Sequence, residues 1–354
     1  MKIILLSDSL VLQSAGVKQY NLQLLKTLTT YRNLTDLTLI VPRHSAELAA
    51  YNQVEVPINA LPLHQKWRHF TRIPRKINKL NPDIVIEPAH FGPFRLNKQI
   101  KRCTVIHDLT PISHPQFHPL SSRVGHRLTL QPVLGRSDLI ITNSESTQIT
   151  VRRFQPQVKK IQVLSPPIEK RSTLERNQAR DSKAYLLAIG TQEPRKDYVT
   201  LLQAYAELHF DIDLVIIGGP GWRNTQFDLE FANHPKKSSI RMTGYISDAE
   251  KYELMKNASI FVATSKAEGL GLPLLEILPY QTPVICSDLP SFREIGGERF
   301  EYFPAGYASV LTEKLIQVCS KLPFKCDFND RIKSWNMKRK AEVDSLFTTF
   351  DAWL

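Results

Sequence analysis

Ala267-Glu268-Gly269-Leu270-Gly271-Leu272-Pro273-Leu274-Leu275-Glu276 is the stretch whose reading decides the fold. It follows an apolar run, Ser259-Ile260-Phe261-Val262-Ala263-Thr264, with the length and composition of a buried parallel strand, and it sets Pro273 in the first turn of a helix. Gly269 and Gly271 let the backbone approach a ligand closely, and the unpaired N–H groups of a helix start present partial positive charge to an anion such as a diphosphate. Glu268 lies in the loop and Glu276 one turn beyond Leu272 on the same helix face. Both carboxylates are therefore placed to accept hydrogen bonds from sugar or ribose hydroxyls. A nucleotide-sugar satisfies the whole set; a glycine-bearing βα turn with solvated glutamates is the plainer alternative.

Working outward, the same alternation of strand and helix runs in both directions. Upstream of the stretch, Tyr185 to Ile189, Leu214 to Ile217 and Ile240 to Thr243 read as strands, with helices from Asp197 to Leu208 and Ser247 to Asn257; Val284 to Cys286 follows it. The first half opens on Ile3 to Leu6, a loop to Gly16 and an amphipathic helix carrying Val17, Tyr20, Leu24, Leu25 and Leu28. Strands follow at Leu37 to Val41, Ile84 to Ile86, Cys103 to Ile106, Leu139 to Thr142 and Ile161 to Leu164, with helices near Ser121 to Leu134 and Ser144 to Phe154. Such alternation implies two parallel, doubly wound α/β sheets. The polar segment from Leu164-Ser165-Pro166-Pro167 to Ser182 reads as the linker, giving domains 1–166 and 167–330 and a closing helix 331–354. Two such halves place a ligand cleft between the carboxyl ends of their sheets.

The chain has 354 residues, long for one domain and comfortable for two. A hydrophobic content of 42% and a mean hydropathy of -0.23 describe a soluble globular protein, without an apolar run of transmembrane length. The apolar start Ile3 to Leu6 is too short for a signal peptide, and Cys103, Cys286, Cys319 and Cys326 show no metal-site spacing. Free thiols and a cytoplasmic location are the expectation. The net charge of +12 is one-sided: residues 1–170 hold 23 Lys and Arg against 10 Asp and Glu, residues 171–354 hold 23 against 24. A basic first half asks for an anionic partner.

The Glu-x7-Glu span from Glu268 to Glu276, with Gly-Leu-Gly-Leu-Pro between, resembles the signature of retaining family 4 glycosyltransferases of the GT-B fold. Gly190-Thr191-Gln192-Glu193-Pro194-Arg195-Lys196-Asp197 resembles that family's Gly-x-x-Glu-Pro-Arg-Lys-Asn, with Asp197 in place of the usual asparagine and able to cap the helix that follows. Adjacent cations on a loop after a strand suit a leaving diphosphate, although alone they would read as solvated charges. His107-Asp108 is similar to the family's His-Asp element, which assigns His107 to the donor sugar and Asp108 to orienting it. Gly16, in Ser14-Ala15-Gly16, stands where the family more often has two glycines. Ser144-Glu145 is similar to a strand-to-helix Ser-Glu element, first a cap and second a site. Gly218-Gly219-Pro220-Gly221 shapes either the nucleotide pocket or only a turn, Tyr245-Ile246 resembles the part beside the nucleobase, and Ser334-Trp335 the family's Phe-Ser-Trp.

The resemblance implies that Arg195, Lys196 and the Gly271 helix start hold the diphosphate, Glu276 the ribose, and Glu268 and His107 the sugar. Gly16, Gly190, Tyr245, Gly269, Leu270, Gly271 and Leu272 complete the donor site. The implied reaction transfers a hexose from a nucleotide-sugar to a glycan or lipid-linked acceptor in cell-envelope polysaccharide or glycolipid synthesis. No metal or other cofactor is required, since protein cations carry the charge. The His-Asp and Glu-Pro-Arg-Lys strings are similar to those of mannosyltransferases using GDP-mannose. A nucleotide-sugar epimerase on the same fold and a non-catalytic basic binding module are the alternatives. Between Leu63 and Leu80, six Lys and Arg interleave with Trp67, Phe70, Ile73 and Ile77. That mixture suits an anionic membrane surface reached through Lys66 to Lys79, hence a peripheral place on the inner membrane face, and equally an ordinary solvated helix with core anchors. Nucleic acid is not expected, because no nucleic-acid motif accompanies the charge.

Overall fold

The computed structural model describes residues 1–12, 16–32, 36–58, 64–89, 92, 94–169, 183–222 and 225–354. Two compact units divide the chain. Unit 1 comprises Met1–Ser113, Leu120–Pro167 and Met337–Leu354; unit 2 comprises His114–Pro119 and Ile168–Asn336. The linker expected from Leu164 to Ser182 lies mostly outside the described residues.

Unit 1 is built on seven strands: β1 (Ile3–Leu6), β2 (Leu37–Val41), β3 (Asn52–Glu55), β4 (Ile84–Glu87), β5 (Lys101–Ile106), β6 (Leu139–Thr142) and β7 (Ile161–Val163). They lie in the order β3-β2-β1-β4-β5-β6-β7, every neighbouring pair parallel. The runs Ile-Ile-Leu-Leu and Ile-Val-Ile-Glu are buried at every position, as strands covered on both faces must be. The order reverses between β1 and β4, so the crevice beyond their carboxyl ends is where a doubly wound sheet takes its ligand. The edge strand β3 was not expected; its sequence, Asn-Gln-Val-Glu, is half-exposed and carries no apolar run. One side of this sheet packs on Tyr20, Leu24 and Leu28 of the helix Gly16–Arg32 and on Leu346, Phe347 and Phe350 of the last helix.

Unit 2 has six strands, β8 (Tyr185–Ile189), β9 (Asp213–Ile217), β10 (Ile240–Gly244), β11 (Ile260–Ala263), β12 (Val284–Ser287) and β13 (Glu301–Phe303). Their order is β10-β9-β8-β11-β12-β13, again all parallel. Here the reversal falls between β8 and β11. The loops leaving those two strands are Gly190–Asp197 and Thr264–Gly271, the segments the sequence singles out.

The last helix, Asn329–Asp351, begins earlier than expected, and Ser334-Trp335 lies inside it. Trp335 is buried in the unit 2 core, whereas Val343, Leu346, Phe347 and Phe350 belong to the core of unit 1. Among the described residues no helix is long and apolar enough to cross a membrane.

Candidate active site

The loop after β8 holds its two cations by backbone geometry. Pro194–Lys196 is a single 3-10 turn, closed by Lys196 N donating to Glu193 O at 2.9 Å, and Asp197 follows in the left-handed region at φ 51°. Asn and Asp tolerate that conformation better than other side chains, which explains why aspartate serves where asparagine is usual. Its expected capping bond is absent: the Asp197 carboxylate instead accepts from Thr200 Oγ1 at 2.7 Å and pairs with Lys266 Nζ at 2.9 Å. Thr264 Oγ1 donates to Lys196 O and Lys266 N to Arg195 O, both at 2.8 Å, so the loops from β8 and β11 are tied together. Gly218 closes the floor. Its φ is +146°, and a Cβ there would lie 2.0 Å from the Gly190 carbonyl oxygen, so the Gly218–Gly221 segment is glycine-bearing because two backbones touch.

Arg195 and Lys196 are not bare cations. Glu268, nearly buried, receives Arg195 Nη1 at 2.6 Å on one oxygen and Lys196 Nζ at 2.5 Å on the other, and Ser265 Oγ donates at 2.8 Å. Arg195 further reaches Glu193 at 2.5 Å and the Ala267 carbonyl at 2.8 Å. Burial alone would raise the Glu268 pKa, but Arg195 and then Lys196 outweigh it and hold the carboxylate at about 2. Glu193, Arg195, Lys196 and Glu268 thus form a charge-balanced cluster at the strand-order reversal of unit 2. Both cations are thereby preoriented, sharing their charge with a carboxylate, an arrangement chemically suited to an anionic group.

Glu276 pairs with a cation the sequence did not point to: Lys251, at 3.0 Å, from the helix Asp248–Asn257. Lys251 escaped notice because nothing local marks a contact spanning 25 residues. The helix opened by Gly271, at φ +102°, is only six residues long, Leu272–Ile277. So short a helix aligns few peptide dipoles, and the cations carry more of the anion-binding capacity than the helix start does. Leu270 is a core residue and Leu272 packs against the same core, so their side chains serve packing. Gly190 follows β8, its carbonyl accepting from Tyr198 Oη at 2.9 Å. Tyr245 is 63% exposed, and its ring packs directly on Gly219, where a Cβ would collide with it.

In unit 1, His107 is buried and lines a cavity of about 900 Å³ at the carboxyl ends of β1 and β4. Its Nε2 donates to the Pro88 carbonyl at 2.7 Å, and the ring meets Tyr20 edge-on at 5.0 Å. Desolvation lowers its pKa below the ordinary histidine value, against the Pro88 carbonyl and Asp108, so the ring is neutral. The Asp108 carboxylate accepts from Thr110 N and Oγ1, starting the next helix. Ser144 caps the helix Glu145–Phe154, accepting from Thr147 N at 3.0 Å. Gly16 is the first residue of its helix; Ser14 and Ala15 lie outside the described residues.

The basic stretch splits at Thr71 into helices His64–Phe70 and Arg72–Leu80. Arg68, read from sequence among solvated cations, is fully buried: its guanidinium pairs with Asp8 and donates to the Val56 carbonyl. Burial would raise the Asp8 pKa, yet hydrogen bonds from Arg68 and His69 bring it below the usual carboxylate range. Ile73 and Ile77 are buried in the core, while Arg72, Arg75, Lys76 and Lys79 are solvated.

Two doubly wound parallel sheets, each with its chemistry-bearing loops at the strand-order reversal, define the GT-B class of transferases. Residues 169–333 match the family model for glycosyl transferases group 1, and residues 15–171 that for Glycosyltransferase Family 4. The chain belongs to the family 4 glycosyltransferases and is a hexosyltransferase. It is 27% identical over 336 residues to an O-antigen chain mannosyltransferase B of Escherichia coli, spanning 84% of this chain and 85% of that protein. It is 34% identical over 137 residues to the serotype-specific mannosyltransferase WbdA of Escherichia coli, 36% of this chain but 17% of that protein. Among solved structures, a sucrose-phosphate synthase from Thermosynechococcus elongatus superposes with a TM-score of 0.80 at 14% identity, covering 99% of this chain and 98% of that one. The lipopolysaccharide glycosyltransferase WaaG superposes with 0.73 at 13%, covering 97% and 98%.

Proposed function

We propose that the protein is a retaining, nucleotide-sugar-dependent hexosyltransferase that moves mannose from GDP-mannose to a glycan or lipid-linked acceptor in cell-envelope polysaccharide or glycolipid synthesis. The observation that carries the donor half is the Arg195–Lys196–Glu268 cluster, where adjacent cations are oriented by a buried carboxylate on the loops that take ligands in this sheet order. The mannosyltransferase relatives support the sugar.

In this mechanism the acceptor hydroxyl attacks the anomeric carbon on the face from which the diphosphate departs, and a phosphate oxygen of the leaving group takes the proton. Arg195 and Lys196 stabilise the charge developing on the diphosphate, Glu276 holds the ribose, and Glu268 accepts from sugar hydroxyls while keeping the cations in place. Tyr245 lies along the base, and His107, neutral and fixed by Pro88, serves the sugar. The reaction calls on no metal. The unit 1 cavity, with Asp8, His69 and Glu87 on its lining, has the volume of a small-molecule site and suits the acceptor's polar end. A lipid-linked acceptor would bring the enzyme to an anionic inner membrane surface, to which Arg72, Arg75, Lys76 and Lys79 are available.

The test is product analysis after incubation with GDP-mannose or UDP-glucose, with and without a lipid-diphosphate-linked glycan. An α-linked mannosyl product that forms only with acceptor supports the reading; a modified sugar nucleotide released without acceptor would identify an epimerase instead.

A further inference from the structure

The helix Leu120–Arg136 of unit 1 has two working faces. Toward the cavity it presents Ser121, Ser122, Gly125, His126 and Thr129. Toward solvent it presents Leu120, Val124 and Leu128, exposed to 68%, 48% and 70%. These three are four residues apart and drift by about 40° per step, so they form one continuous row. Gln131 and Gly135, which share that face, add no charge. Exposed Arg123 and Arg127 flank the row on one side and Arg136 on the other. The chain holds no acidic residue between Asp108 and Asp138, in a half that already carries the whole basic excess. Leu12 and Phe70, both on the cavity lining, are exposed as well, at 46% and 39%.

We infer that this helix is the membrane seat of the enzyme, its apolar row entering the headgroup boundary of an anionic bilayer while its opposite face borders the acceptor cavity. An exposed leucine row is costly in water, and arginines flanking it in a stretch of sequence that holds no acidic residue complement anionic lipid rather than an ordinary mixed-charge protein surface. The arrangement sets the cavity beside the bilayer, where a lipid-linked acceptor keeps its tail in the membrane and offers only its polar end. The inference deepens the acceptor half of the function proposed above, and it moves the principal contact from the Lys66 to Lys79 stretch to a helix the sequence marked without assigning it a membrane role.

Vesicle sedimentation tests it, using the full chain with phosphatidylcholine alone or mixed with phosphatidylglycerol. Wild type should bind the mixed vesicles and be released by salt. The double variant Leu120→Ser, Leu128→Ser should bind at least about tenfold more weakly, as expected on losing two inserted apolar side chains. Both positions are solvent-exposed, so the variant should fold, which an unchanged thermal shift with GDP would verify. Failure of wild type to bind anionic vesicles, with GDP binding intact, would overturn the inference and leave the transferase reading standing. Retained binding in the double variant, with loss on replacing Arg72, Arg75, Lys76 and Lys79 by alanine, would overturn it in favour of the other helix. A wild-type dimer that the double variant dissolves, without lipid binding, would overturn it by making the row a protein interface.

Discussion

Replacing Glu268 by glutamine keeps the side chain's shape and removes its charge, leaving Arg195 and Lys196 with Glu193 as their remaining carboxylate. The carboxyl sits at about 2 in the folded protein, against an ordinary 4.5. Because the folded value is the lower one, the charged form stabilises the fold fully above pH 4.5, and that contribution fades as pH falls toward 2. The shift corresponds to about 3 kcal/mol at neutral pH, which agrees in scale with the roughly 3–5 kcal/mol lost on breaking a buried ion pair from one side. For a unit of this size the substitution should lower the unfolding midpoint by roughly 6–12 °C at pH 7. Thermal unfolding followed by circular dichroism should show the gap between wild type and variant narrowing by roughly 1 kcal/mol or more at pH 3.5. The charge balance adds a second signature: with the competing carboxylate gone, GDP should bind the variant more tightly than wild type and stabilise it more, while transfer falls. A variant as stable as wild type at pH 7, or a gap independent of pH, would refute the reasoning.

Lys196→Ala should lower kcat for transfer by at least about a hundredfold, the loss expected for one preorganised electrostatic contact; near-normal turnover in steady-state assays would remove the residue from the mechanism. Glu276→Ala should also reduce transfer by about a hundredfold or more, and because it is assigned to the ribose the loss should appear in the donor KM, so an unchanged KM contradicts the assignment. Gly218→Ala puts a methyl group 2.0 Å from the Gly190 carbonyl at a φ of +146°, so soluble yield and unfolding midpoint should both fall; a normally folded variant would mean that the two loops can separate. His107, neutral because of burial, has a folded pKa below its unfolded one, so the stability it contributes is present above about pH 6.5 and lost on acidification. Its ring carbon resonances should keep their neutral shifts through pH 6, and an imidazolium titration near 6.5 would contradict the burial argument. Transfer should survive EDTA unchanged.

Both sheets and the charged, glycine-bearing loops at the strand-order reversal of unit 2 were legible because the strands are apolar on both faces and the loops after β8 and β11 carry glycine, proline and paired charges in a distinctive order. The misreadings share one physical origin: a side chain's role depends on a partner distant in sequence. Arg68 looked like one of six solvated cations, and only Asp8, sixty residues earlier, makes it a buried one. Glu276 looked like a carboxylate open to ribose hydroxyls, and Lys251, 25 residues earlier, pairs with it. Arg195 and Lys196 looked like bare cations, and Glu268, 72 residues beyond Lys196, pairs with both. The strand β3 and the outward row of the helix Leu120–Arg136 were missed for opposite reasons. The first is a polar edge strand with no apolar run, and the second is a set of leucines and a valine whose spacing alone does not say which face meets solvent.

The donor site is tested most directly by calorimetric titration of the full chain with GDP, comparing wild type with Arg195→Ala and Lys196→Ala. The account predicts measurable binding by wild type and a loss of at least about tenfold in each variant, the scale of one charge-assisted contact. Equal GDP affinity in all three proteins would contradict the placement of the diphosphate on the loop after β8, and with it the mechanism.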